Sequence, residues 1–165
     1  MTSPRPRSRR LLIAVGLSVA GVVLAGCSAT NPITTEHEYS ASDGVRATLG
    51  DVRASNLLVV SSAKGAEGLL LGGLTNDGTE PRTVTLTFGD QTATVQVAPE
   101  STVLLDGTAT EGRADVRVTS VSVPPGAVLP TTIATDTAGS QDLGIPVLDG
   151  SQPDYATLVP TPPAS

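Results

Sequence analysis

Two stretches, "RTVTLTF" (82–88) and "QTATVQV" (91–97), constrain the fold more than anything else in the chain. In the first, Val84, Leu86 and Phe88 alternate with Thr83, Thr85 and Thr87. In the second, Ala93, Val95 and Val97 alternate with Thr92, Thr94 and Gln96. A period of two belongs to a strand with one face on a core and the other in water. Only Gly89 and Asp90 separate the pair. A glycine first in a two-residue loop supplies the positive φ of a type II′ turn. The pair predicts an antiparallel hairpin, with Phe88 and Val95 in the core and Thr85 exposed.

The rest of the chain reads as more strands of similar length. "GVRATL" (44–49) comes first. "DVRASNLLVVS" (51–61) starts as an alternation and ends as a continuous apolar run, as a buried strand does. "LLLGGLTN" (69–76) carries glycines where a bulge or a close backbone approach belongs. "TVLLD" (102–106) is short, and "GTATEGRA" (107–114) reads as a loop. "DVRVTSVSV" (115–123) changes parity between 118 and 121, so a β-bulge near Thr119–Ser120 is expected. "VLPTTIATD" (128–136) and "DLGIPVL" (142–148) follow. Strands so spaced, with turn signals between them, predict an all-β chain, an Ig-like or cupredoxin-like β-sandwich over residues 39–150. With no Trp and few other aromatics, its core is aliphatic. Residues 151–165, "SQPDYATLVPTPPAS", hold four prolines and no strand pattern. They read as an extended Pro-rich tail with polyproline II character.

The single cysteine, Cys27, follows a leader of quite different composition. "MTSPRPRSRR" (1–10) is basic, and "LLIAVGLSVAGVVL" (11–24) is apolar and uncharged. That run is too short for a comfortable span of about 20 residues and has the length and flanks of a signal-peptide core. "SRRLL" (8–12) also resembles a twin-arginine export signal, so both the general secretory route and the twin-arginine route stay open. "LAGC" (24–27) resembles the bacterial lipobox at all four positions. The resemblance implies diacylglyceryl transfer to the Cys27 sulfur and cleavage between Gly26 and Cys27. A cysteine thiolate is the nucleophile such chemistry needs. Residues 1–26 are then a lipoprotein signal peptide, and 27–38 a lipidated N-terminus and tether. With one cysteine there is no internal disulfide. The implied location is the outer face of a cell membrane.

Removal of that leader takes away Arg5, Arg7, Arg9 and Arg10, leaving six basic against sixteen acidic side chains, a net charge of −10. Such a domain is a poor match for nucleic acid, whose binding rests on neutralised phosphates. It also repels anionic head groups.

Catalytic signals are sparse. No Gly-x-Ser-x-Gly elbow occurs, and "SSAKGAEG" (61–68) lacks the order of a phosphate loop. The lone histidine, His37, lies in "EHE" (36–38). Strand geometry would turn Glu36 and Glu38 away from its imidazole, so it reads as a solvated tether residue. Asp77, Glu80, Asp90, Asp106 and Asp115 fall mostly at turns, where Asx chemistry explains them. Neither catalytic nor metal-ligating residues are assigned, and no cofactor is expected.

The stretches "YSASDGVRATLGDVRASNLLVV" (39–60), "GLLLGGLTNDGTEP" (68–81), "TVQVAPESTVLL" (94–105) and "SVPPGAVLP" (122–130) resemble, in this order, actinobacterial lipoproteins of the LpqE type. That group is in turn similar to the periplasmic copper chaperones called PCu(A)C, which bind Cu(I) through Met and His. The resemblance implies a sandwich fold. No copper ligand transfers, because the matching stretches contain neither Met nor His. The expected function is that of a non-enzymatic, membrane-anchored extracytoplasmic lipoprotein, a binding or interaction module. Its partners would be the membrane, through lipid on Cys27, and an envelope protein. The alternative is a divergent copper- or metal-handling protein that has lost the Met and His ligands.

Overall fold

The computed structural model describes residues 42–161. Ten strands follow one another: β1 (Val45–Leu49), β2 (Val52–Ser61), β3 (Gly68–Asn76), β4 (Arg82–Phe88), β5 (Gln91–Val97), β6 (Ser101–Leu105), β7 (Arg113–Ala114), β8 (Arg117–Val118), β9 (Val128–Thr135) and β10 (Gly139–Leu148). One short helix, α1 (Pro153–Ala156), comes after them. The strands are ordered β5-β4-β9-β10-β2-β3-β6-β7, with β1 on β2 and β8 on β3. The sheet curls into a barrel-like sandwich, in agreement with the all-β reading. Strand β10 joins the two layers. Residues 139–146 pair with β9, and Val147 and Leu148 run parallel to Val59 and Val60 of β2.

The hairpin forms in the expected register. Phe88 pairs with Gln91, Leu86 with Ala93 and Val84 with Val95. Gly89 has φ +61, while Asp90 is not among the positive-φ residues. That is the type II′ pattern. Phe88 and Val95 are buried, as the alternation requires. Thr85 is half-buried rather than exposed. The reason is that β4 is not an edge strand: β9 flanks it, setting Ala134 beside Thr85 opposite Thr94.

The glycines of β3 mark a bulge, which lies on the facing strand. Between the pairs Ser55–Gly73 and Leu58–Leu71, Asn56 and Leu57 of β2 face only Gly72. Asn56 takes a left-handed conformation at φ 53. A Cβ on Gly72 would lie 2.8 Å from the Ser55 carbonyl oxygen, and Gly72 itself has φ +138. The bulge resets the parity of β2, so Leu57 and Val59 enter the main core while Leu58 and Val60 face outward. The main core is otherwise aliphatic, with Leu70, Leu74, Val84, Leu86, Ile133, Ile145 and Val147 inaccessible to solvent.

Two stretches differ from the expectation. Residues 115–123 do not form one bulged strand. Only Arg117 and Val118 pair as a strand, with Leu69 and Gly68. Val121 is buried from a loop, donating its N–H to Ala66 and accepting from Gly65. The parity conflict is thus resolved by leaving the sheet. Within 107–114, read as a loop, Arg113 and Ala114 pair parallel with Leu104 and Leu105.

The C-terminal stretch also differs, within residues 151–161. It forms α1 and lays Tyr155, Leu158 and Val159 over Leu58, Val60, Leu69 and Leu71. This strap explains why both faces of β2 and β3 are apolar: the core covers one and the strap the other. Covering that second face removes apolar surface from water, the main driving force available. The Tyr155 hydroxyl donates to Asp43 Oδ2 at 2.8 Å.

Candidate functional site

The β4–β5 hairpin ends between two open clefts that share Gly89. The first, about 380 Å³, lies over the solvent face of the sheet. Thr87, Pro130, Thr132 and Asp142 line it. Thr132 donates its hydroxyl to Asp142 Oδ1 at 2.7 Å. These side chains meet because β4, β9 and β10 are neighbours and Thr87, Thr132 and Asp142 stand in one cross-strand row. The second cleft, about 270 Å³, opens at the end of the sandwich. Phe88 and Leu129 form its apolar floor, and Gln91, Thr119, Ser120 and Ser122 its polar wall.

Gln91 holds that wall in place. Its Oε1 accepts from the Thr119 N–H at 2.8 Å and from the Thr119 hydroxyl at 2.9 Å. Its Nε2 donates to the Arg117 carbonyl. One amide therefore spans from β5 to the segment after β8 and fixes the mouth of the cleft.

The electrostatics of this end follow from where the arginines are engaged. Arg117 is drawn to Asp115 and Glu67, and the Asp115 hydrogen bond raises its pKa. At the opposite end, Arg53 binds Asp77 and Arg82 binds Asp51. The Arg53 hydrogen bond pulls the Asp77 carboxyl below the usual carboxylate range. Of the acids expected to serve turns, Asp106 does so, its Oδ1 accepting from the Thr108 N–H; Asp149, not among those expected, does the same for the Ser151 N–H. Several also hold arginines, including Arg113 on Asp106. The side chains lining the two clefts bear hydroxyls, an amide and carboxylates, with no cationic group among them. Such a surface offers hydrogen bonds in both directions and no cationic grip for phosphate.

The sequence-predicted residues Gly26, Cys27 and His37 lie outside the described residues. From 42 to 161 the sequence contains no Met, Cys or His. The donors left are oxygens and strongly basic nitrogens, which do not suit Cu(I). Among the described residues no group of three or more His, Cys, Asp or Glu side chains is placed to hold a metal. Among the same residues no helix is long and apolar enough to cross a membrane.

Sequence reasoning missed Gln91 and Asn76. Asn76, fully buried, donates from Nδ2 to the carbonyls of Glu80, Val97 and Ala98, and its Oδ1 accepts from the Gly78 N–H. An Asn-Asp-Gly string signals a turn, but not its long-range partners.

No protein-family model and no curated protein matches the chain. Solved structures similar to it are PCuAC domains. The copper-bound PCuAC domain from PmoF2 is 15% identical with a TM-score of 0.48, covering 64% of this chain and 98% of that one. The apo PCuAC domain from PmoF1 is 16% identical with a TM-score of 0.49, covering 62% and 98%. The apo PmoF2 PCuAC domain is 13% identical with a TM-score of 0.49, covering 66% and 98%.

Proposed function

We propose that this chain is a non-enzymatic, lipid-anchored binding module that meets an extracytoplasmic protein partner through its hairpin end. The observation that supports the reading most is the pair of clefts joined at Gly89. Their polar groups are hydroxyls, an amide and carboxylates, borne on strands and on a loop braced by Gln91. A braced, hydrogen-bonding surface suits a polypeptide, whose backbone both donates and accepts. An apolar floor at Phe88 and Leu129 gives a partner side chain somewhere to bury. Cys27 would supply the anchor and residues 28–38 the reach.

The test is photocrosslinking in native membranes. A photoreactive residue replaces Asp90 at the hairpin tip in one variant and Asp136, in the turn joining β9 to β10, in another. The sheet register puts these two turns at opposite ends of β4 and β9. One discrete adduct from position 90, absent from position 136, is expected. Equal, diffuse labelling from both would contradict a dedicated hairpin-end surface.

A further inference from the structure

We propose that the free edge of β5 pairs with the same edge of a second copy of this chain, joining two sandwiches through one continuous sheet. Strand β5 stands at the end of the sheet order, bonded only to β4. In a hairpin with a two-residue loop the flanking pair, Phe88 and Gln91, bond to each other. The residues that bond toward β4 are then Gln91, Ala93, Val95 and Val97. The N–H and C=O groups of Thr92, Thr94 and Gln96 point the other way, off the edge. Those three residues are exposed.

Natural sheets blunt such edges with short strands, charge, proline or bulges. At the other end of the same layer, β10 has a second open edge over residues 139–146, which carries Asp142 and Pro146, and the remaining outer strands are blunted too. Strand β7 has two residues, one of them Arg113. Strand β8 has two, one of them Arg117. Strand β1 has five, carries exposed Arg46 and is irregular between Val45 and Ala47. Strand β5 has seven residues in unbroken register with β4, with no charge, no proline and no bulge.

The occupant follows from symmetry. A two-fold axis makes an antiparallel contact self-complementary: residue i of one copy meets residue j of the other, j meets i, and only the residue on the axis meets itself. In a chain of strongly acidic balance after its leader, most surfaces would place like charges together. "QTATVQV" carries none. With the axis at Thr94, Thr94 faces Thr94 of the other copy and Thr92 faces Gln96. All three are outward-pointing pairs, so each exchanges two backbone hydrogen bonds. The side chains in register are hydroxyl on hydroxyl and hydroxyl on amide, favourable cross-strand pairs. The product is an eight-stranded sheet, β10-β9-β4-β5 continued by its symmetry mate.

The test uses the full chain in nonionic detergent. Sedimentation equilibrium is expected to give a dimer, and Thr94→Lys a monomer with an unchanged far-ultraviolet dichroism spectrum. Lys at 94 points into solvent in one copy but meets its own charge in two. A second variant does not depend on loss of assembly. Bonded antiparallel pairs place Cα atoms about 5.5 Å apart, within disulfide reach. Thr94→Cys is therefore expected to form a disulfide dimer on mild oxidation beyond any formed by the parent chain, while Thr48→Cys on β1 is not. A monomeric full chain overturns the proposal. So does a dimer that persists in Thr94→Lys without the Thr94→Cys disulfide. Bonding of Thr94→Cys to a different protein, rather than to its own kind, also overturns it.

Discussion

The Nδ2 of Asn76, at the end of β3, donates to the carbonyl oxygen of Val97, at the end of β5, across 3.3 Å. The two strands belong to different layers of the sandwich, so this buried amide joins the layers at one corner. It also holds the turn between β3 and β4 through Glu80 and Gly78. Val97 is inaccessible to solvent, and so is Asn76.

Removal of that amide takes one donor from each of three carbonyls at this corner, those of Glu80, Val97 and Ala98, and the acceptor from the Gly78 N–H, a loss larger than one hydrogen bond's net worth. Asn76→Ala is expected to lower stability by about 2–3 kcal/mol in urea unfolding. Asn76→Asp keeps the shape but turns three donor contacts into carboxylate against carbonyl, and should cost at least as much. Ser140→Ala, on the exposed start of β10, should stay within about 0.5 kcal/mol. Equal effects of Asn76→Ala and Ser140→Ala would show that the corner does not depend on Asn76.

The strap can be followed through Tyr155. Its hydrogen bond to Asp43, then its partial burial, raise its pKa above the usual tyrosine value. An acid whose folded pKa is raised favours the neutral form in the native state. The stability this contributes is fully present below the unfolded value near 10 and is lost as pH rises through the folded one. The chain has no Trp and only Tyr39 besides. The phenolate absorbance of wild type minus that of Tyr155→Phe therefore isolates Tyr155. The difference is expected to titrate with a midpoint above pH 10. A midpoint at or below 10 would mean that the strap does not hold Tyr155 against Asp43.

The hairpin was legible in the sequence because its information is local. Alternation fixed the faces of β4 and β5, and Gly89 fixed the turn between them. The bulge was half legible: Gly72 signalled a close approach, while the irregular residue was Asn56 on the other strand. The strap was not legible, because α1 has four residues and its segment is rich in proline. Its burial depends on Leu58, Val60, Leu69 and Leu71, far earlier in the chain. A hint was present all the same. The runs "LLVV" and "LLL" bury both faces of a strand, and only one face could meet the main core. The hairpin-end clefts were invisible for a related reason: Gln91 meets Thr119 only when the sandwich closes.

Copper binding separates the interaction module from the metal-handling alternative. Cu(I) prefers thiolate, thioether and imidazole donors. In a chain beginning at Ser28, only His37 offers one. Titration of that chain against a competing Cu(I) chelator is expected to show no tight, stoichiometric retention. Weak uptake that disappears in His37→Ala would be a surface contact of one imidazole. Tight retention by the wild type would restore the metal-handling reading.

Lipid on the sulfur of Cys27 is the proposed anchor of this domain at a membrane surface, and labelled-lipid incorporation in a bacterial host tests it most directly. Cells expressing the wild-type chain or Cys27→Ser are fed radiolabelled fatty acid, and the protein is recovered and fractionated. The wild type is expected to carry label and to sediment with membranes. Cys27→Ser should carry no label, retain its leader and migrate as the longer, uncleaved chain. Equal labelling of the two, or an unlabelled wild type that is still cleaved and released, would contradict the anchored module.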